Sequence, residues 1–179
     1  DPLTNKDREA IKIGLKNGIK NFAMSFTNFP ADVKLMRELC GNDSNIICKI
    51  ESPSGVKNLE EILKLTDCVL IDRGDLSRRI PIERIPFLQR KIISTSKKIN
   101  KPVFVATNLL ESMVTTQSPT RAEVNDVVST LEMGGDGLVL AAETAIGNFP
   151  VQSVQMIRKL INAFDHWSPN TNISDLLKD

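Results

Sequence analysis

The sequence predicts an α/β protein: a partial (β/α)8 TIM-type barrel, five βα units preceded by a helix. Two observations carry this. Short apolar runs alternate with longer amphipathic segments along the chain, the pattern of a parallel sheet with helices packed outside it. The polar residues Ser25, Glu51, Asp75, Thr107 and Glu143 then fall at or just beyond the carboxyl ends of successive runs. Barrel enzymes build their sites on that rim. A doubly wound nucleotide fold shares the alternation but calls for a glycine-rich loop after its first strand. Ser25-Phe26-Thr27-Asn28 has the wrong chemistry for such a loop.

The opening helix is capped by Thr4, favoured by Asp7 in its first turn, and closed by Asn17-Gly18. A strand is expected over residues 21–26. Pro30 then starts a helix with Val33, Met36 and Leu39 on one face. The second strand covers residues 45–51, and its helix carries Val56, Leu59, Ile62 and Leu63 at helical spacing. The third strand, residues 68–72, leads through Gly74-Asp75 and Pro81 into a long helix bearing Ile85, Leu88, Ile92 and Ile99. The fourth strand is residues 103–107. Thr120 and Glu123 form a capping box for a helix striped by Val124, Val127, Val128 and Leu131, which Gly134-Gly135 ends. The fifth strand, residues 137–141, precedes a helix from Pro150 with Val154, Ile157, Ile161 and Phe164. Residues 1–167 form the barrel part, and the polar residues 168–179 read as a tail or linker.

The 179 residues suit one soluble domain, or most of a larger one, and the 41% that are hydrophobic are enough for a real core. Lys and Arg number 23 against 22 Asp and Glu, a formal net charge of +1. That balance gives no reason to expect nucleic acid or a membrane surface as partner. No apolar run approaches a membrane span and no signal peptide opens the chain. Cys40, Cys48 and Cys68 are odd in number and widely spaced. They read as buried thiols in a reducing cytoplasm rather than a disulfide frame or zinc site. The single histidine, His166, reads as a surface residue.

The chemistry concentrates at two strand tips. In Ile47-Cys48-Lys49-Ile50-Glu51, the alternation of a strand puts Lys49 and Glu51 on one face. A cation and a carboxylate therefore stand side by side. The next tip, Asp72-Arg73-Gly74-Asp75-Leu76, offers a second carboxylate in Asp75 beside a glycine. Two oxygen ligands, a lysine charge and free backbone N–H groups are what a hard divalent metal and an anionic substrate require. A solvated strand end is the plainer reading of the same residues.

The motifs resemble those of the pyruvate kinase family. The matching stretches run in order: Leu3-Thr4-Asn5-Lys6-Asp7, Ser25-Phe26, Lys49-Ile50-Glu51 with Gly55-Val56, and Arg73-Gly74-Asp75-Leu76. They continue with Ala106-Thr107, Leu110-Glu111-Ser112-Met113, Pro119-Thr120-Arg121-Ala122-Glu123-Val124 with Asp126-Val127, and Glu143-Thr144-Ala145 with Gly147 and Pro150. The resemblance places these units as the fourth to eighth strands of a catalytic barrel. It implies phosphoryl transfer between phosphoenolpyruvate and ADP, giving pyruvate and ATP in glycolysis. It assigns Glu51 and Asp75 to Mg²⁺ or Mn²⁺, and Lys49 to the phosphoryl group. The Gly74 and Asp75 N–H groups would receive the substrate carboxylate, with Thr107 bonding it and delivering a proton. Glu143 would support that proton chain, and Arg73 would form a structural ion pair. Ser112 and Met113 read as loop packing, and Arg121 with Asp126 as a structural pair.

Departures from the family pattern cluster near the same rim. Asp72 stands where the family has alanine, Ser77 where it has glycine, and Asn28 where it has arginine. Ala141-Ala142 replace a serine and a glycine, and Ile146 replaces a lysine on the nucleotide side. The family's first three strands, its inserted β domain and its C-terminal domain have no counterpart here. The phosphate-gripping arginine and the K⁺ site go with them. Activity is accordingly expected to be incomplete in this chain alone, and a homo-oligomer or a need for the missing barrel segment is expected. Two other readings share these residues: a metal-dependent enolate or 2-oxo acid enzyme needing no nucleotide, and a non-catalytic degenerate barrel.

Overall fold

The computed structural model describes residues 2–177. A first helix, α1 (Asn5–Lys16), precedes strand β1 (Asn21–Met24) and helix α2 (Pro30–Cys40). Strand β2 (Asn45–Ile50) leads to α3 (Pro53–Lys57) and α4 (Leu59–Leu65). Strand β3 (Cys68–Asp72) leads to the short α5 (Arg73–Ser77) and the long α6 (Ile85–Lys98). Strand β4 (Val103–Ala106) is followed by α7 (Arg121–Glu132), and β5 (Gly137–Val139) by α8 (Ala142–Ala145), α9 (Pro150–Asp165) and α10 (Ile173–Leu176). The five strands form one parallel sheet in the order β1-β2-β3-β4-β5. Among the described residues β1 and β5 remain its two edges, so the barrel is open.

Parallel register places Lys49 beside Leu70, and alternation brings Asp72 to the same face. The opposite face holds Ile46, Cys48, Ile50, Val69, Ile71, Val103 and Val105, all fully buried. They pack with Val33, Met36, Ile62, Leu63, Ile92 and Ile93 from the helices. On the concave face Ile47 and Phe104 keep partial exposure. A second cluster joins Leu109, Leu110 and Met113 to Val127 of α7 and Ile157 of α9.

Expectation and structure part at the element ends. β1, β2, β4 and β5 stop one or two residues early. Phe26 and Thr107 adopt left-handed φ values of 50° and 76°, which turn the chain off the ladder. The expected single helix after β2 is two, α3 and α4. Asn58, between them, donates from its side chain to the Asn28 carbonyl at 2.8 Å, tying the break to the loop after β1. Ile99 and Val154, read as core, are exposed. Ile99 lies past the last turn of α6, and Val154 is not among the α9 residues that pack with Val127 of α7. Residues 173–176 of the polar tail form a short helix, and Leu176 lines an apolar cleft with Leu160, Phe164 and Trp167. Cys40, Cys48 and Cys68 are buried free thiols. His166 is exposed at the end of α9.

Candidate active site at the strand tips

The carboxyl ends of β2, β3 and β4 converge on one charged cluster. Lys49 Nζ lies 2.7 Å from Glu51 Oε1 and 3.2 Å from Asp72 Oδ2. The Lys49 side chain is 23% exposed and that of Glu51 only 1%. Glu51 Oε2 accepts a short hydrogen bond from the Phe26 N–H, which the left-handed turn after β1 aims at it. Glu51 Oε1 has the lysine ammonium beside it and no backbone or hydroxyl donor. Burial pulls the Lys49 pKa down, but the Glu51 and Asp72 carboxylates outweigh it and hold the ammonium above its ordinary value.

Asp72 links this pair to β4. Its Oδ1 accepts from the Thr107 hydroxyl at 2.8 Å and, more loosely, from the Asp75 N–H at 3.4 Å. Burial would raise its pKa, yet Thr107, Lys49 and the Asp75 N–H lower it below the usual carboxylate range. Gly74 is needed here because a Cβ would come 2.7 Å from Thr107 Cγ2. Thr107 is a β-branched residue at positive φ, a conformation that costs about 1–3 kcal/mol and needs support. Arg73 supplies it. Its guanidinium donates to the Thr107 carbonyl at 2.7 and 3.0 Å and to the Asn108 carbonyl at 3.0 Å. Arg73 is 12% exposed and pairs with Asp126 at 2.6 Å.

Lys49, Glu51, Gly74, Asp75 and Thr107 therefore lie together, and Arg73 braces them from behind. Glu143 does not join them. It is buried, and its carboxylate accepts from the Leu110 N–H at 3.0 Å and the Ala141 N–H at 2.8 Å, tying the loop after β4 to the end of β5. Asp126 pairs with Arg73 rather than with Arg121 as the sequence suggested. Their closeness in one helix had stood in for a contact that comes from another strand tip. Ser112 and Met113 pack the loop: Met113 is buried, and Ser112 is held by Glu123 through its N–H and hydroxyl, each at 2.6 Å. The residue whose importance the sequence understated is Asp72. Its position next to Arg73 showed an added carboxylate but not its three partners.

One carboxylate oxygen each from Glu51, Asp72 and Asp75 lies within 4.8 Å of the others. Carboxylate oxygens suit a hard divalent cation, and the buried Glu51 carboxylate has only the Lys49 ammonium as a charged partner on its Oε1 side. The residues present thus fit Mg²⁺ or Mn²⁺.

Comparison with known proteins identifies the scaffold. The family model for the pyruvate kinase barrel domain matches residues 1–154. The chain belongs to the pyruvate kinase family. It is 42% identical over 163 residues to pyruvate kinase of Thermotoga maritima, covering 89% of this chain and 35% of that protein. Against a pyruvate kinase of Agrobacterium vitis the identity is 41% over 171 residues, with coverage of 94% and 36%. Pyruvate kinase 1 of Saccharomyces cerevisiae is 44% identical over 155 residues, with coverage of 85% and 31%. The chain thus spans about a third of the length of these pyruvate kinases. Among the described residues no helix is long and apolar enough to cross a membrane.

Proposed function

We propose that this chain carries the metal- and phosphoryl-handling rim of a pyruvate kinase. The reaction is phosphoryl transfer between phosphoenolpyruvate and ADP, with pyruvate and ATP as products. The observation that supports it is the Lys49 ammonium bracketed by Glu51 and Asp72, with Asp75 and the Thr107 hydroxyl in the same cluster. Glu51 and Asp75 would hold Mg²⁺ or Mn²⁺, which when bound supplies positive charge to phosphoryl and carboxylate oxygens. Lys49 places a second positive charge beside the group in transit, where preorganised electrostatics act most strongly. Thr107, braced by Arg73, holds at the same rim a hydroxyl that Asp72 accepts from in this structure and that would bond the substrate carboxylate and pass a proton where the carboxylate displaces Asp72. The Gly74 and Asp75 N–H groups border the same space. Three buried free thiols suit a reducing compartment, the cytoplasm.

A second reading, a metal-dependent 2-oxo acid enzyme without nucleotide, draws on the bare apolar surface of Ile146, which is 78% exposed just beyond α8. A requirement for ADP separates the two. The divalent site itself is tested by Mn²⁺ titration, read by water-proton relaxation. Glu51→Gln and Asp75→Asn are each expected to weaken binding about 10–100-fold. Unchanged affinity in both variants would remove the assignment.

A further inference from the structure

We propose that Asp72 fills, from within the chain, the seat that the carboxylate of a 2-oxo acid substrate would take, and strengthens the cation site at the expense of that anion. This rests on the divalent-site reading above. The Asp72 carboxylate has three partners: Lys49 Nζ at 3.2 Å, the Thr107 hydroxyl at 2.8 Å and the Asp75 N–H at 3.4 Å. A cation, a hydroxyl and an amide are what an incoming carboxylate would use, and here a built-in carboxylate uses them first. It shares Lys49 with Glu51, so the Lys49 ammonium faces two carboxylates at close range.

Glu51 and Asp72 oppose Lys49 in the least exposed part of the cluster, while Asp75 has the mostly exposed, water-screened Arg78 3.5 Å away. The buried part thus keeps an excess of negative charge, which a divalent ion offsets. With Asp72 removed, the loaded cluster is one charge more positive and the seat is open. Glu51 Oε1, almost wholly out of water, has the Lys49 ammonium at 2.7 Å as its compensating charge, so this buried carboxylate too favours a cation over an anion in the cluster. Asp72 is thus a specificity-determining residue that favours the divalent ion and disfavours the carboxylate.

The test uses the full chain, with Mn²⁺ as the metal and pyruvate as the anion. Mn²⁺ affinity is read by water-proton relaxation, and pyruvate affinity by the Mn²⁺-induced relaxation of its methyl protons. Asp72→Ala is expected to weaken Mn²⁺ about tenfold or more and, at equal Mn²⁺ loading, to tighten pyruvate by about tenfold. These opposite signs are not what general destabilisation produces. Asp72→Asn, which removes the charge but keeps the volume, should weaken Mn²⁺ similarly and improve pyruvate less. It also serves if the alanine variant does not fold. Pyruvate affinity unchanged or lowered in a folded Asp72→Ala protein overturns the inference. If Glu51→Gln weakens Mn²⁺ while neither Asp72 variant does, only this inference falls. If Glu51→Gln has no effect either, the divalent-site reading falls with it.

Discussion

Lys49 illustrates how much one side chain depends on its neighbours. It is partly buried between two carboxylates, and the nearer one, Glu51, is almost wholly out of water. Replacing it by Met keeps the stem but leaves two close carboxylates without their cation. In the metal-free chain Lys49→Met is expected to cost about 3 kcal/mol, the low end for removing one partner of a buried ion pair because Lys49 is itself partly exposed. Mn²⁺ should restore most of that stability and bind no more weakly than to the unaltered chain. Thermal melts in chelator and in Mn²⁺ check this, and a loss that Mn²⁺ does not recover would place Lys49 outside the cation's field. With the chain joined to the remaining barrel strands of a relative, Lys49→Met should lower phosphoryl transfer at least about a hundredfold. A coupled assay returning near-normal turnover would reduce Lys49 to a strand-end cation.

At the scale of elements, strand tips are held by caps and loop bonds rather than by long ladders. α7 is the clearest case. Glu123 accepts from the Thr120 N–H at 2.7 Å and hydroxyl at 2.8 Å, and from the Ser112 N–H and hydroxyl. One carboxylate thus closes a capping box and anchors the loop after β4. Burial would raise its pKa, but the Ser112 and Thr120 bonds lower it below the usual glutamate range. Because the folded value lies below the unfolded one, its contribution is complete above the unfolded value of about 4.3. It is lost as pH falls through the folded value. Urea melts from pH 7 to pH 2 should therefore show a stability loss that is smaller in Glu123→Gln. The variant should also be about 1 kcal/mol less stable at pH 7. Identical pH slopes in the two proteins would mean that Glu123 is not ionised in these bonds.

For the whole molecule, five parallel strands leave two unpaired edges, β1 and β5, and a concave face on which Ile47 and Phe104 are only partly covered. Open edges and uncovered apolar strands promote association. The isolated 179-residue chain is expected to self-associate at micromolar concentration or to melt broadly. Light scattering with thermal melting decides it, and a sharply melting monomer at high concentration would mean that the edges are protected. The same openness removes walls that would exclude water and hold phosphate. The chain alone is therefore expected to show little or no turnover of phosphoenolpyruvate and ADP. Full turnover by the purified chain would contradict this.

Local patterns in the sequence determined the order of five βα units, the caps at Thr4 and Thr120, and the pairing of Lys49 with Glu51 on one strand face. These depend on spacing within a few residues, which periodicity and propensity report directly. Where strands end was less legible, because Phe26 and Thr107 leave the ladder through left-handed turns that distant partners support. The Glu51 carboxylate holds the first, and Arg73 braces the second. The partner of Asp126, the backbone role of Glu143 and the triple engagement of Asp72 were decided only by tertiary structure. Each joins groups more than thirty residues apart or on different strand tips. Sequence alternation assigns a side chain to a face of its own strand, but only the register between parallel strands sets which tip it meets across the rim.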